Sequence, residues 1–182
     1  LRAKADREDG RVRKQGEADF LGWVSTSRDG LRKTAYLLCG DWFLADDLVQ
    51  DTLTRLYGAW GRIAGSGDPG PYARKVLVNL YLDHRRRPMR REVPLAELPD
   101  AAVEQTNGVD GDRDRLMAGL ARVPSGQRAV LVLRYWEDLS IEQTAQALGT
   151  TPSNVRSQAS RGLDALRAAL DPDPMTTAEE SL

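Results

Sequence analysis

The chain contains one cysteine and one histidine in 182 residues. With Cys39 alone, no internal disulfide can form and no cysteine cluster can hold a metal. With His84 alone, histidine-rich metal sites and most histidine-based catalytic triads are excluded as well. Lysine occurs only at Lys4, Lys14, Lys33 and Lys75, so most of the basic charge is arginine. No apolar run approaches the length of a membrane span, and no secretory signal precedes the helical pattern. A cytoplasmic protein is therefore expected. Alternating β-type segments and internal repeats are also missing. What remains is an all-α expectation, in a length that suits one ordinary domain or two small ones.

The formal net charge of −1 conceals a segregation. Residues 72–91 carry seven basic side chains against Asp83, and residues 92–112 carry six acids and no base. Opposed blocks of this kind point to a polyanion-binding surface next to a solvated linker. Pro88, Pro94 and Pro99 interrupt the second block, which reads as a flexible tether.

Residues 140–170, SIEQTAQALGTTPSNVRSQASRGLDALRAAL, read as a helix-turn-helix. Ser140 and Gln143 form a capping box, and Gly149 stops the first helix. Thr151 caps a second helix that has Pro152 at its first position. Val155, Ala159, Gly162, Leu163 and Leu166 make one apolar stripe there. The other side shows Ser153, Ser157, Ser160, Arg161 and Asp164, flanked by Asn154 and Arg156. Small side chains allow close approach to base edges, and arginines reach phosphate or guanine, so the pattern suits a DNA major groove. An ordinary helical hairpin with a solvated face has the same outline.

Earlier in the chain, apolar residues share a face at Phe20, Leu21 and Val24, then at Leu31, Thr34, Ala35 and Leu38, with a break expected at Asp29-Gly30. Cys39 ends the run 36–39 and is expected to be a buried, inert thiol. The strongest helical period is Ala45, Leu48, Val49, Thr52, Leu53, Leu56 and Tyr57, capped by Asp41. Its outward side is Asp46, Asp47, Gln50, Asp51, Thr54 and Arg55, which would also suit a solvated face tuned to the helix dipole. Residues 58–71 are rich in glycine and proline and read as a long loop. A helix follows from Pro71, with Tyr72, Ala73, Val76, Leu77 and Leu80 inward, and it runs into Arg85, Arg86 and Arg87. That cluster exceeds what a helix C-terminus needs and favours phosphate binding. Leu116, Leu120 and Val123 then mark a short helix stopped by Pro124, with Ser125 expected to cap the next. The expected architecture is two small helical domains, residues 18–87 and 113–170, joined by an acidic flexible linker, 88–112. Residues 1–17 and 171–182 read as flexible ends.

Three segments, in this order and spacing, resemble the extracytoplasmic-function sigma factors of the bacterial sigma-70 family. ADDLVQDTLTRLYGAW (45–60) resembles the segment that binds the clamp helices of the polymerase largest subunit. PYARKVLVNLYLDHRRR (71–87) resembles the −10 promoter-reading helix, and residues 123–167 resemble domain four, which reads the −35 element and touches the polymerase flap. The resemblance implies core-polymerase contacts at Asp46, Asp47, Gln50, Asp51 and Arg55. It implies −10 contacts at Asn79, Asp83, Arg85, Arg86 and Arg87, and −35 contacts at Ser153, Asn154, Arg156, Ser157, Ser160 and Arg161. Loop 58–71 falls where the family captures an unstacked −10 base. Core RNA polymerase and promoter DNA are the implied partners, with an anti-sigma factor as a common regulator. No cofactor, metal or catalytic residue is implied, and the protein is expected not to be an enzyme. Two other readings remain at this stage: a helix-turn-helix regulator with an N-terminal effector or dimerisation domain, and an all-α adaptor.

Overall fold

The computed structural model describes the backbone of residues 2–86 and 111–171, with side chains from Gly16 onward except that of Ser66. Among the described residues every regular element is helical, as expected from the sequence. The chain divides by its contacts into two compact units, residues 1–81 with 146–150 and residues 82–145 with 151–182.

In the first unit α1 (Arg2–Cys39) pairs with α2 (Trp42–Ile63), and α3 (Gly70–Arg86) follows. Phe20, Leu31, Thr34, Ala35 and Leu38 of α1 are buried, as are Leu48, Val49, Leu56, Trp60 and Ile63 of α2. An aromatic cluster closes one end: Phe20 meets Tyr57 and Trp60 edge-on at 5.0 and 5.1 Å. Four expectations need correction here. Helix α1 passes through Asp29-Gly30 without a break, because nothing at Gly30 demands a special backbone and Thr34 Oγ1 bonds its carbonyl at 3.0 Å. It also begins at Arg2, so residues 2–17 are helical instead of an irregular extension. They lack an apolar period but are rich in arginine, lysine, alanine and glutamate, which favour helix on propensity alone. Cys39 is only half-buried, and its Sγ donates to the Asp41 carbonyl at 3.1 Å. The loop expected over residues 58–71 is much shorter.

Helix α2 runs on to Ile63, a 3-10 turn follows at Ala64–Ser66, and α3 begins at Gly70. Burial of Trp60 and Ile63 extends the stripe of Leu56, and that gain outweighs the helix cost of Gly58 and Gly61, about 1 kcal/mol each. Asp68 accepts from the Gly70 amide at 2.8 Å and orders the start of α3. The inward side of α3 is Ala73, Leu77, Val78, Leu80 and Tyr81, rotated from the expected stripe, with Tyr72 and Val76 half-exposed.

Later in the chain α4 (Gly111–Arg122), α5 (Ser125–Leu131), a π-helical turn (Val132–Trp136), α6 (Ile141–Leu148) and α7 (Pro152–Leu170) follow in order. Helix α7 packs on α4 and α5 through two glycines. A Cβ at Gly162 would stand 3.1 Å from Leu131 Cγ, and one at Gly119 would stand 2.9 Å from Leu170 Cδ2. Ser125 does not cap α5 with its side chain; Pro124 precedes the helix, and its carbonyl accepts from the Arg128 amide at 2.9 Å. Arg128 is 7% exposed, and its Nη2 donates to the carbonyls of Ala121 at 2.8 Å and Val123 at 3.1 Å. One buried arginine thus satisfies carbonyls at the end of α4 that have no helical partner. The expected linker (88–112) and tail (171–182) lie outside the described residues except at residues 111, 112 and 171.

Candidate nucleic-acid and polymerase interfaces

The helix-turn-helix is built by local hydrogen bonds that the sequence announces. The Ser140 amide donates to Gln143 Oε1 at 2.8 Å, and the Gln143 amide donates back to Ser140 Oγ at 3.1 Å. Gly149 takes φ 62° after α6, a conformation that a side chain disfavours. Thr151 Oγ1 accepts from the Asn154 amide at 3.2 Å, and Pro152 occupies the first turn of α7. In α7 Val155 and Gly162 are buried, Ala159, Leu163, Leu166 and Leu170 are half-buried beside them, and the remaining face is open. Ser153, Asn154, Arg156, Ser157, Ser160 and Arg161 are all exposed. The Arg156 guanidinium is 3.9 Å from Glu142, a loose surface pair that costs little to release. Beside this face lies a concavity of about 360 Å³ that includes Arg134, Tyr135, Ile141, Arg156, Ser160 and Arg167. Tyr135 and Trp136 are exposed next to it, at the end of the π-helical turn.

Helix α3 carries Asn79 half-buried, and Asp83, Arg85 and Arg86 exposed. Asp83 pairs with Arg86 at 3.7 Å, one turn apart on the same helix. Arg87 lies outside the described residues. The basic end of α3 is thus open to solvent, and Asn79 sits near the edge between the packed and open sides.

Helix α2 begins at Asp41, whose Oδ1 accepts from the amides of Phe43 at 2.7 Å and Leu44 at 3.3 Å. Asp47, Gln50, Asp51 and Arg55 are exposed along it. Asp46 is different. Arg32 of α1 donates from Nε to Oδ1 at 2.6 Å and from Nη2 to Oδ2 at 3.1 Å, a two-point pair. The hydrogen bond and the arginine charge hold the Asp46 carboxyl below the usual carboxylate range. Asp46 is therefore engaged within the protein, and the acids left open on α2 are Asp47 and Asp51. Arg32 also lies 4.3 Å over the Trp42 ring, whose other face stacks on Tyr36 at 3.9 Å. Neither this assembly nor the exposed Phe43 was legible in the apolar period. An aromatic directly after a capping aspartate was the available signal.

The Sigma-70 region 2 family matches residues 23–91, and the Sigma-70, region 4 family matches residues 113–166. An RNA polymerase sigma-E factor of Streptomyces avermitilis is 39% identical over 84% of this chain and 86% of its own length. One of Streptomyces coelicolor is 36% identical over 84% and 86%. The fold is shared with the sigma factor RpoE in complex with the anti-sigma factor NepR from Bartonella quintana. That match has a TM-score of 0.70 and 22% identity, and covers 85% of this chain and 98% of that one. CnrH in complex with the cytosolic domain of CnrY matches with a TM-score of 0.63 and 21% identity, over 86% and 90%. No described helix is long and apolar enough to cross a membrane.

Proposed function

The chain belongs to the sigma-70 family, as an extracytoplasmic-function sigma factor that binds core RNA polymerase and directs promoter-specific transcription, and from that premise we propose how its surfaces divide the work. Residues 18–87 dock on polymerase and hold the −10 strand, residues 113–170 read the −35 element, and residues 88–112 tether the two. The observation that carries this reading is the open face of α7, where Ser153, Asn154, Arg156, Ser157, Ser160 and Arg161 are all exposed. Its Ser153, Ser157 and Ser160 let the helix settle against base edges, and Arg156 and Arg161 reach phosphate or guanine. On α3, Asn79 offers a donor and an acceptor to a base edge, and Asp83 lies one turn further along beside the arginines. Arg85, Arg86 and Arg87 offer charge to any phosphate. The acids Asp47 and Asp51, with Gln50 and Arg55, face the clamp of polymerase. Two weak DNA contacts joined through a tether and a common partner act as one bivalent grip.

The work is binding in the cytoplasm, with no catalytic step and no cofactor. The complex of the sigma factor RpoE with the anti-sigma factor NepR, whose fold this chain shares, supports an anti-sigma factor as a further partner.

The test is initiation with core polymerase on a panel of single-base −10 variants at two salt concentrations. Asn79→Ala should change which −10 sequences are used. Glutamine at Arg85, Arg86 and Arg87 should weaken opening on every sequence and lower the salt slope by roughly 0.7 per lost phosphate contact. A helix-turn-helix regulator whose N-terminal domain never touches DNA would show neither result.

A further inference from the structure

Phe43 is the most exposed large apolar side chain among the described residues, at 86%. It lies on the same face of α2 as the open acids. From Phe43 the helical steps of three and four residues lead to Asp47, Gln50, Asp51 and Thr54, then to Gly58 and Gly61, and all of these are exposed. A Cβ at Gly58 or Gly61 would meet nothing within 4 Å, so the far end of the stripe is open backbone. The face is thus an aromatic at one end, acids in the middle and bare helix at the other end.

The position of Phe43 is also fixed. Its amide is held by the Asp41 carboxylate at 2.7 Å, and the neighbouring Trp42 ring is held between Tyr36 and Arg32. Arg32 is in turn pinned by its two bonds to Asp46. A phenyl group on a backbone held this firmly has only its own side-chain rotation left to lose on binding. Aromatic side chains with that property dominate the energetics of protein interfaces, and charges around them mostly set approach and orientation.

We propose that Phe43 is the apolar anchor of the polymerase-docking face, inserting into a pocket between basic residues of the clamp helices that meet Asp47 and Asp51. The inference rests on the reading of α2 as the clamp-binding helix. It extends that interface one turn toward the helix N-terminus, to a residue outside the 45–60 segment that carries the resemblance. It also gives Arg32 and Asp46 a task. Asp46 holds the arginine that holds the tryptophan beside the anchor.

The experiment measures binding of the full chain to core RNA polymerase from Streptomyces coelicolor, the source of one relative, at low and high salt. Wild-type affinity sets the reference, and thermal melting of each variant is recorded alongside. Phe43→Ala should weaken binding tenfold or more with an unchanged melt, and by a similar factor at both salt concentrations. Phe43→Met, which keeps apolar bulk, should recover most of the loss. Asp47→Lys with Asp51→Lys should also weaken binding, but by a factor that shrinks as salt rises. If the charge reversal disrupts binding and Phe43→Ala does not, the anchor is wrong and the clamp reading stands. If neither variant changes binding, α2 is not the docking helix, and the anchor falls with it. A loss in Phe43→Ala that tracks a lowered melt and is not recovered by Phe43→Met makes the residue structural and also overturns the proposal.

Discussion

Helices α2 and α7 start the same way and end up doing opposite things with their surfaces. Each is opened by a side-chain cap, Asp41 for one and Thr151 for the other, and each has one apolar stripe. Of the twenty-two residues in α2, seven are buried, whereas only two of the nineteen in α7 are. Helix α2 is a wall of its unit, seated along its length by Leu48, Val49, Leu56, Trp60 and Ile63. Helix α7 is seated where glycines let its neighbours come close, with Leu163, Leu166 and Leu170 half-buried, and its serine and arginine face stays open. A helix that must enter a groove about 12 Å wide cannot be buried on more than a narrow strip. One that meets another protein's helix can afford a single open face. The burial ratio and the outward residues, acids and a phenyl group on one, hydroxyls and arginines on the other, are what the proposed division of partners rests on.

The largest effect expected is at the wall. Asp47→Lys with Asp51→Lys should abolish copurification with core polymerase while the melting curve stays in place. Retention of normal binding would reduce the acidic face of α2 to a dipole-tuned surface and remove half of the comparison. The next effect separates face from seat on α7. Arg161→Ala should weaken binding of the full chain to a −35 duplex by about 1–3 kcal/mol if it reads a base, with stability barely moved. Gly162→Val, one residue on, should do the reverse. It forces a side chain against Leu131 and Gln127, and a well-packed contact of that kind costs about 1–3 kcal/mol of stability. If chemical denaturation finds Arg161→Ala the more destabilising of the two, α7 is buried differently from the way it is described here.

The smallest effect belongs to the Arg32–Asp46 pair. Its arginine holds the Asp46 carboxyl below its usual range, so the folded protein keeps that group ionised to lower pH than the unfolded chain does. The contribution is present above the unfolded value, near 4, and is lost as pH falls through the lower folded one. Wild type should therefore lose stability more steeply in that acid window than Arg32→Gln, as followed by tryptophan fluorescence. Parallel curves would mean that the pair contributes nothing to holding the corner of α1 and α2.

The features of this fold legible in the sequence are those made by bonds between near neighbours. The capping box of Ser140 and Gln143, the caps at Asp41 and Thr151, and the left-handed Gly149 each concern residues at most three apart. A short stretch of letters contains all the parties. Where distant burial decides, the reading fails. Gly58 and Gly61 resemble a loop until Trp60 and Ile63 find a core, and the Tyr81 side of α3 is chosen by what it packs on. Arg128 and Arg32 reach across helices to their partners, and no local pattern marks them. The proposed site residues on α7 are found in the open because DNA-facing chemistry suits residues that a core would refuse. Phe43 was harder to find, since a phenylalanine suggests burial.

The π-helical turn at Val132–Trp136 lets the chain after α5 tolerate a change of length. In it the Glu137 amide reaches back five residues to the Val132 carbonyl, and the Leu139 amide reaches back six to Leu133. A turn of this width is how a helix absorbs one residue more than its usual bonding pattern has places for. Removing a single residue there would let the ordinary ladder close. Because the wide turn already takes up that residue, the chain beyond it would keep nearly its present direction. The extra residue is thus slack stored at the end of α5, and a one-residue deletion there should disturb α6 and α7 less than the same deletion inside either helix.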